Sequence, residues 1–391
     1  MRKKRVLFIF GTRPEVIKLA PVIAVFKKER AFETLAVSTG QHREMLAQAL
    51  KSFKLAMDHD LKIMVENQSL FDVTVNALRS LERLYKDLSP DMVFVQGDTT
   101  TAYCAALAAF YLNVPLAHVE AGLRTGDLAN PFPEEANRVF IDRLSSLHFA
   151  ATPLGRENLS GEKKAGIFVT GNTVVDALAA MRPRVLDRNF HFSERALPGF
   201  LSRRRSSRLI LLTAHRRENF GAPLEAIFRA VRAILGRFKD VAAIYPVHLN
   251  PNVQKPARRI LGGVDRVLLT GPLDYSDLVA VMARAHLVLT DSGGIQEEAP
   301  SFHAPVLVLR KVTERPEAVE AGCAEVAGRL EQGHLVRRIG VLLAPGSSLY
   351  RRMAGAPNPF GDGRASRRIL EAAKWHWKLR ANPPKDWTPS P

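Results

Sequence analysis

The chain has 391 residues, of which 46% are hydrophobic, and this length points to two domains rather than one. It has no apolar run long enough to cross a bilayer, so we expect no membrane insertion. Lysine and arginine total 56 against 39 aspartates and glutamates, which gives a net charge of +17. The arginine clusters are not interleaved with aromatic residues and no nucleic-acid-binding motif occurs. We therefore expect anionic small ligands rather than nucleic acid.

The N-terminal segment MRKKRVLFIF has a basic start and an apolar stretch, as a secretory signal would. The apolar stretch is short, charged residues follow it at once and no small-residue cleavage site is present, so we interpret it as a first β-strand. The two cysteines, Cys104 and Cys323, stand in apolar surroundings. They predict buried free thiols in a reducing cytoplasm rather than a disulfide framework or a metal site.

Short apolar runs rich in β-branched residues alternate with helical patterns along the chain. The first half contains RVLFIF, LAVST, MVFVQG, PLAHVE, LHFA and IFVTG, and the second contains RLILLTA, AAIYPV, VLLTG, LVLTDS and APVLVL. Strands that are apolar throughout, rather than alternating, indicate parallel sheets covered by helices on both faces. We therefore predict an α/β protein with two doubly wound, Rossmann-like domains whose parallel sheets face a cleft.

The domain boundaries are predicted from composition and motif position. Residues 1–171 should form the N-terminal domain and residues 172–362 the C-terminal domain. Residues 363–391 should form a helix that packs back on the N-terminal domain, followed by a loose proline-rich tail. Ligands of open parallel sheets bind beyond the carboxyl ends of the strands, so functional residues are expected there.

Two strand ends have the features of anion sites. The segment FGTRPEVIK leaves the first strand and places Arg13 and Lys18 at a helix start, which favours a phosphate, although an ordinary turn with a solvated arginine is the alternative. In TDSGGIQEEA a buried strand is followed by Ser292, Gly293 and Gly294, whose backbone N–H groups can hold a phosphate. One of the next two glutamates could reach a ribose, or both could only favour the helix dipole.

Three further segments place polar residues at strand ends. Asp98 in VQGDTTTAYCAAL is either functional or a simple helix N-cap, and His215 in LTAHRRENFG is flanked by arginines. The segment HVEAGLRTGDLANPFPEEANR crowds Glu120, Glu134 and other carboxylates without metal-ligand spacing. Anion sites in both domains predict a nucleotide conjugate as ligand. A P-loop motif and a dinucleotide-binding glycine motif are absent, which argues against a kinase and a dehydrogenase.

The chain resembles the bacterial non-hydrolysing UDP-N-acetylglucosamine 2-epimerases over about residues 6–368. The resemblance rests on FGTRPEVIKLAP, STGQHREML, GDTTTAYCAALAAFY, HVEAGLRTGDLANPFPEEANR, FVTGNTVVDAL, TAHRREN, YPVHLNPNV, TDSGGIQEEAPS and ERPEA, in this order. It implies a fold like that of the GT-B glycosyltransferases, a homodimer, and interconversion of UDP-N-acetylglucosamine and UDP-N-acetylmannosamine for cell-surface polysaccharide. It implies no metal or nicotinamide cofactor.

The resemblance also implies roles for individual residues. The acid/base candidates are Asp98, Glu120 and Glu134, without an assignment of each to one face of the sugar. His215 would contact the diphosphate and protonate the leaving oxygen. The other residues expected to bind UDP are Arg13, Lys18, Leu273, Leu278, Ser292, Gly293, Gly294, Glu298 and Arg315. Those expected to bind a second, activating UDP-N-acetylglucosamine are Gln41, His42, Glu134, Arg216 and His248.

Three alternatives remain open from the sequence. A retaining glycosyltransferase would share the UDP-binding residues but would not need Asp98, Glu120 and Glu134 together. A hydrolysing epimerase would release free N-acetylmannosamine, and it is often fused to a kinase domain that this chain lacks. A nucleotide-sugar-binding protein without chemistry would not need the acid/base residues.

Overall fold

The computed structural model describes residues 2–40, 43–64, 68–161 and 166–389, and the side chains of residues 43–45 are outside that description. Contacts divide the chain into two compact units. Unit 1 comprises residues 1–180 and 360–389, and unit 2 comprises residues 181–359. The divisions thus fall after residues 180 and 359, whereas the sequence prediction placed them after residues 171 and 362.

Unit 1 is built on a seven-stranded parallel sheet in the order β3-β2-β1-β4-β5-β6-β7. Its strands are β1 (Lys4–Phe10), β2 (Phe32–Ser38), β3 (His59–Asp60), β4 (Met92–Gln96), β5 (Leu116–Ala121), β6 (Leu147–Ala150) and β7 (Ile167–Val169). Its helices up to the division are α1 (Arg13–Lys28), α2 (Arg43–Ser52), α3 (Leu70–Leu88), α4 (Thr100–Tyr111), α5 (Glu134–Leu144), α6 (Pro153–Gly161) and α7 (Thr173–Val185), and the division falls within α7.

Unit 2 is built on a six-stranded parallel sheet in the order β10-β9-β8-β11-β12-β13. Its strands are β8 (Arg208–Thr213), β9 (Val241–Pro246), β10 (Val267–Thr270), β11 (Leu287–Thr290), β12 (Val306–Val308) and β13 (Ala324–Val326). Its helices are α8 (Ala196–Arg203), α9 (Ala222–Arg237), α10 (Pro251–Leu261), α11 (Tyr275–Met282), α12 (Gly293–Glu298), α13 (Pro316–Glu320), α14 (Gln332–Leu342) and α15 (Ser348–Gly355), with 3-10 turns at Arg217–Asn219 and Ala299–Phe302. The last helix, α16 (Ala365–His376), returns to unit 1 and packs against α1.

Each sheet is buried on both faces, as the continuous apolar strands predict. In unit 1 the side chains of Phe8, Phe26 and Phe94 are fully buried and form an aromatic cluster, with the rings of Phe8 and Phe94 stacked at a centroid distance of 4.6 Å. Such ring pairs contribute about 1 kcal/mol beyond the area they bury. In unit 2 the core is formed by aliphatic residues of β8, β9 and β11 against α9 and α14. Cys104 and Cys323 are both free and buried, as predicted for two buried thiols.

The C-terminal tail is not loose, contrary to the sequence prediction. The backbone N–H of Trp387 donates to the carbonyl of Val169 at 2.8 Å, and the carboxylate of Asp386 accepts from the N–H of Val169 at 2.8 Å. Asp386 also pairs with Arg156 at 2.5 Å, and the Trp387 side chain is buried. The tail therefore satisfies backbone groups of β7, the last strand of the sheet, which would otherwise be an open edge.

No helix in the described ranges is both long and apolar enough to cross a bilayer.

Candidate active site

In unit 1 the three candidate carboxylates, Asp98, Glu120 and Glu134, belong to adjoining elements. Asp98 follows β4, Glu120 is the second-last residue of the neighbouring β5, and Glu134 is the first residue of α5. Side chains of α5 reach the β4 end directly, because the Asn137 amide donates to the Asp98 carbonyl at 2.8 Å. The structure therefore brings α5, which begins at Glu134, to the carboxyl ends of the strands next to Asp98 and Glu120.

Glu120 has an unusual backbone conformation. Its φ angle is +66°, and the pairing of β5 with β6 shifts register between Val119 and Ala121, so the strand bulges at this residue. A left-handed conformation is costly for glutamate, and such strain persists mainly where it aims a functional side chain. The bulge directs the carboxylate to Lys18, whose ammonium lies 2.6 and 2.7 Å from its two oxygens, and to the amide of Gln96.

Asp98 is held by an arginine that the sequence analysis did not single out. The guanidinium of Arg138 donates to the Asp98 carboxylate at 2.7 and 2.8 Å, and it donates to Glu135 at 2.9 Å. Arg138 and Glu135 are almost fully buried, whereas about a quarter of the Asp98 side chain is exposed. The spacing of Glu135 and Arg138 on one helix was the available signal, because residues three apart share a helix face.

Glu134 lacks a hydrogen-bond partner for one of its oxygens. Its Oε2 atom is buried, and the described residues provide no donor to it. A buried carboxylate oxygen without a donor is costly, since nearly all buried polar atoms in proteins have a partner. At the first turn of α5 the positive helix end partly stabilises the charge. The cost that remains is consistent with an oxygen that is kept for a ligand or a proton.

Beneath these residues a buried ion pair fixes the ends of β4 and β5. The His118 ring lies 2.6 Å from the Asp142 carboxylate through Nδ1 and 2.8 Å from the Gly97 carbonyl through Nε2. Asp142 also accepts from the N–H of Gly122 at 3.2 Å and pairs with Arg124 at 2.8 Å. Burial alone would raise the pKa of Asp142, but His118 and Arg124 lower it to about 2. The carboxylate is therefore ionised at neutral pH.

The turn after β1 is ordered by Glu15, another residue that the sequence analysis left out. Its buried carboxylate accepts from the N–H groups of Gly11 and Thr12 and from the hydroxyls of Thr12 and Thr99, at 2.8–3.0 Å. Burial raises the pKa of Glu15, although these four hydrogen bonds oppose the shift. Glu15 thus ties the turn that carries Arg13 to the N-cap of α4, next to Asp98.

In unit 2 the candidate His215 follows β8, and its loop is held by Asp291 at the end of the adjacent β11. The fully buried Asp291 carboxylate accepts from the N–H groups of His215 and Arg216, both at 2.9 Å in their shorter contacts, and from the Asn219 amide at 3.0 Å. His215 and Arg216 remain partly exposed. The loop therefore presents two potentially cationic side chains from a fixed backbone.

The start of α12 brings several predicted UDP-binding residues together. Ser292 is the N-cap of α12, and Gly293 and Gly294 form its first turn. A Cβ atom added at Gly293 would lie 3.8 Å from the guanidinium of Arg315, and one added at Gly294 would lie 3.8 Å from a carboxylate oxygen of Glu298. Both side chains therefore approach the bare backbone of this turn.

The first of the two glutamates of α12 has a structural partner. Glu297, which is 2% exposed, accepts from Arg315 at 2.5 Å. This pairing leaves Glu298 as the candidate for a ribose contact.

The remaining predicted residues are placed as follows. Leu273 is buried just before α11, and Leu278 is half-buried in the first turn of that helix. The exposed His248 follows β9, and its ring stacks on His215. Gln41 and His42 lie outside the described residues. In the described part of the chain, no group of three or more His, Cys, Asp or Glu residues is arranged to hold a metal ion.

A family profile described as UDP-N-acetylglucosamine 2-epimerase matches residues 24–374. The UDP-N-acetylglucosamine 2-epimerase of Bacillus subtilis strain 168 is 47% identical over 390 residues, covering 99% of this chain and 100% of the relative. The solved S. aureus MnaA–UDP complex has a TM-score of 0.87 and 44% identity, and the match covers 98% of this chain and 100% of that one. The UDP-GlcNAc 2-epimerase of Neisseria meningitidis, solved bound to UDP-GlcNAc, has a TM-score of 0.85 and 42% identity, with 94% and 99% covered. These matches confirm the predicted fold class, two Rossmann-like α/β domains of the GT-B-like type.

Proposed function

The chain belongs to the UDP-N-acetylglucosamine 2-epimerase family, and we propose that it reversibly interconverts UDP-N-acetylglucosamine and UDP-N-acetylmannosamine without releasing free sugar. The single observation that carries this proposal beyond the family match is that Asp98, Glu120 and Glu134 belong to adjoining elements at the carboxyl ends of β4 and β5. A glycosyltransferase that only needs to hold UDP has no use for three such carboxylates.

The proposed chemistry is elimination followed by re-addition. The C2–H bond of the sugar is not acidic, because no carbonyl is adjacent to it. A carboxylate removes the proton from C2 while the C1–O bond breaks and its electron pair leaves with UDP, which gives a 2-acetamidoglucal. UDP then adds back at C1 while a second group protonates C2 from the opposite face. Two faces require at least two proton-transfer groups.

The contacts within unit 1 support a division of labour among the three carboxylates. Asp98 and Glu120 each touch a cation, Arg138 and Lys18 respectively. Glu134 has the oxygen without a donor. We therefore propose that the Glu134 oxygen without a donor serves one face of C2 and that Asp98 or Glu120 serves the other, with the Lys18–Glu120 pair rearranging as the nucleotide sugar binds.

The unit 2 residues would bind UDP. His215 and Arg315 would contact the diphosphate with Ser292, Gly293 and Gly294, and Arg13 would add a cation from unit 1. Glu298 would take the ribose hydroxyls, while Leu273 and Leu278 would contact the uracil. Developing negative charge on the leaving diphosphate is stabilised by fixed cations and backbone N–H groups.

We further propose a cytoplasmic homodimer that supplies precursors of cell-surface polysaccharide and responds to its own substrate. Arg216, His248 and Glu134, with Gln41 and His42, would bind a second UDP-N-acetylglucosamine that favours the reactive state, which requires tighter binding to that state. The reverse reaction, started from UDP-N-acetylmannosamine alone, should then show a lag that a trace of UDP-N-acetylglucosamine removes. A full initial rate would contradict this regulation.

Proton NMR of the purified protein with UDP-N-acetylglucosamine tests the proposed reaction. We expect anomeric signals of UDP-N-acetylmannosamine to grow to an equilibrium mixture, without free sugar. Free N-acetylmannosamine together with UDP would instead identify a hydrolysing enzyme. An unchanged substrate that is consumed only when a sugar acceptor is added would identify a glycosyltransferase.

A further inference from the structure

The His215 backbone is held by hydrogen bonds from residues on and next to two other strands, β9 and β11. Both oxygens of the buried Asp291 accept from the His215 N–H, at 2.9 and 3.1 Å. The hydroxyl of Tyr245 donates to the carbonyl of Ala214, the preceding residue, at 2.6 Å. The Asn219 amide holds Asp291 in turn, at 3.0 Å. Residues from β9 and β11 therefore determine where the His215 ring can point.

The ring of His215 is constrained on one edge and one face. Its Nδ1 atom lies 3.7 Å from Asp291 Oδ1, which is too long for a hydrogen bond but is within ion-pair distance. Its face stacks on the ring of His248 at a centroid distance of 5.4 Å and an interplanar angle of 9°. The His248 ring is itself oriented, because its Nδ1 accepts from the N–H of Asn250 at 3.1 Å.

From this geometry we propose that Asp291 is a positioning residue that holds His215 with Nδ1–H towards its carboxylate and leaves Nε2 to exchange a proton with the diphosphate. The proposal rests on the proposed function, since the diphosphate is the expected partner of His215. Asp291 itself touches neither the substrate nor the reacting atoms. A carboxylate next to one ring nitrogen selects the tautomer that carries the proton on that nitrogen.

The proposed proton transfer uses one atom of His215, its Nε2, which gives a proton and takes it back. The imidazolium of His215 gives its Nε2 proton to the departing oxygen of UDP as the C1–O bond breaks, and the neutral Nδ1–H tautomer remains beside Asp291. When UDP adds back, Nε2 takes the same proton again. No proton moves to or from Asp291, and its carboxylate stabilises the imidazolium that forms and re-forms.

Asp291 also affects the pKa of His215, together with the other groups around the ring. Burial lowers the pKa of His215, and His248 and Arg216 lower it further, whereas the Asp291 carboxylate raises it. Tyr245, which contacts the preceding residue Ala214, is a neutral hydrogen-bond donor, because burial raises its pKa. Asp291 therefore partly offsets surroundings that disfavour the imidazolium, although the net pKa of His215 stays below its ordinary value.

A tautomer measurement on the wild-type protein tests the first half of the proposal. The chain has 11 histidines, and the ring signals of His215 in ¹⁵N-histidine-labelled protein can be assigned by their loss in His215→Gln. We expect the neutral form to carry its proton on Nδ1. A neutral form protonated on Nε2 would overturn the proposal. This measurement needs no turnover, so it separates a wrong tautomer from a wrong function, and no Asp291 variant has to fold.

A double-mutant cycle tests the second half. We expect Asp291→Asn to lower kcat about tenfold or more, to move the His215 limb of the pH profile to lower pH, and to leave UDP affinity within about threefold. In a His215→Gln background the same substitution should have little further effect, because Asp291 acts through His215. An equal loss in both backgrounds, or an unmoved limb, would overturn the proposal.

Asn219→Ala is the matched control, because it removes a hydrogen-bond partner of Asp291 and leaves the Asp291 carboxylate in place. We expect this variant to lose stability but to keep the wild-type pH limb. A limb that moved as far as in Asp291→Asn would show that backbone placement, rather than the carboxylate charge, sets the titration, which would contradict the proposed electrostatic effect.

Discussion

The strand ends of the two units use opposite charge arrangements. In unit 1 the candidate acid/base groups are carboxylates, and their partners are cations, as in the pairs Glu120–Lys18 and Asp98–Arg138. In unit 2 the candidate groups are His215 and Arg315, and their partners are the buried carboxylates Asp291 and Glu297. The two parallel sheets therefore differ at their carboxyl ends: the candidate groups are carboxylates in unit 1, and a histidine and an arginine in unit 2.

This difference matches the two demands of the proposed reaction. Proton removal from carbon needs carboxylates, whereas a leaving diphosphate needs cations. If the division is real, substitutions of the unit 1 carboxylates should mainly lower kcat and substitution of the unit 2 cation Arg315 should mainly weaken UDP binding. His215 and its partner Asp291 act on the leaving oxygen, so their substitutions should lower kcat as well. Variants that depart from this pattern would show that the difference in charge between the two units does not correspond to a division of catalytic roles.

The largest effect is expected for the carboxylates of unit 1. Asp98→Asn, Glu120→Gln and Glu134→Gln should each lower kcat about 10²-fold or more, the usual contribution of a general acid or base. UDP affinity, measured by calorimetric titration, should stay within about threefold for each variant. Three variants that turn over within a few-fold of wild type would mean that the carboxylates are structural.

Glu157→Gln is the control for this series. Glu157 is an exposed carboxylate of α6 in the same unit, so the substitution removes the same charge away from the sheet edge. We expect its kcat to match that of the wild type. A comparable loss in this variant would attribute the effect to overall charge.

The next effect concerns the stability of unit 1. Trp387→Ala removes a buried side chain that covers the edge strand β7, and such truncations cost about 3 kcal/mol. Urea unfolding followed by circular dichroism should show this loss. The control Leu379→Ala, at a partly exposed position, should cost much less. Equal small losses of stability in the two variants would mean that the tail contributes little to the stability of the edge strand β7.

A third effect depends on pH. The folded-state pKa of Asp142 is about 2, below its ordinary 3.8, so its ionised form contributes about 2 kcal/mol to the free energy of unfolding above pH 3.8. This contribution is lost as the pH falls from about 4 towards 2. Asp142→Asn should therefore be less stable than wild type at pH 7, and the gap should narrow between pH 4 and pH 2. A constant gap would contradict the ion-pair assignment.

The smallest effect is expected in unit 2. Arg315→Ala should raise the Kd for UDP about tenfold, worth about 1.4 kcal/mol, because a cation near α12 is lost. Its kcat at saturating substrate should change less than that of any unit 1 carboxylate variant. Arg329→Ala, which removes an exposed arginine of the same unit, is the control and should bind UDP normally. If Arg315→Ala lowered only kcat, the division between the units would be wrong.

Most of the fold was predictable because buried parallel strands have a strong sequence signal. The prediction missed β3 and β13, which have two and three residues and lie at sheet edges. Strands so short show no periodicity, and their pairing depends on the neighbouring strand. The tail was predicted to be loose from its prolines, but Asp386 and Trp387 anchor it through tertiary contacts.

The candidate site was predictable only at the level of residue types at strand ends. Asp98, Glu120 and His215 stand next to recognisable strands, so position alone selected them. The sequence does not show which residues orient these three side chains. Arg138 reaches Asp98 from a helix 40 positions away, and Asp291 reaches His215 across 76 positions. Contacts of that kind exist only in the folded chain.

The most direct test of the central claim is the reaction of the wild-type protein in deuterated water. Carboxylates that remove and return the C2 proton on opposite faces should leave deuterium at C2 of the UDP-N-acetylmannosamine formed, seen as loss of the H2 signal and a one-mass-unit increase. Product that keeps its original hydrogen at C2 would contradict proton transfer through the carboxylates of unit 1.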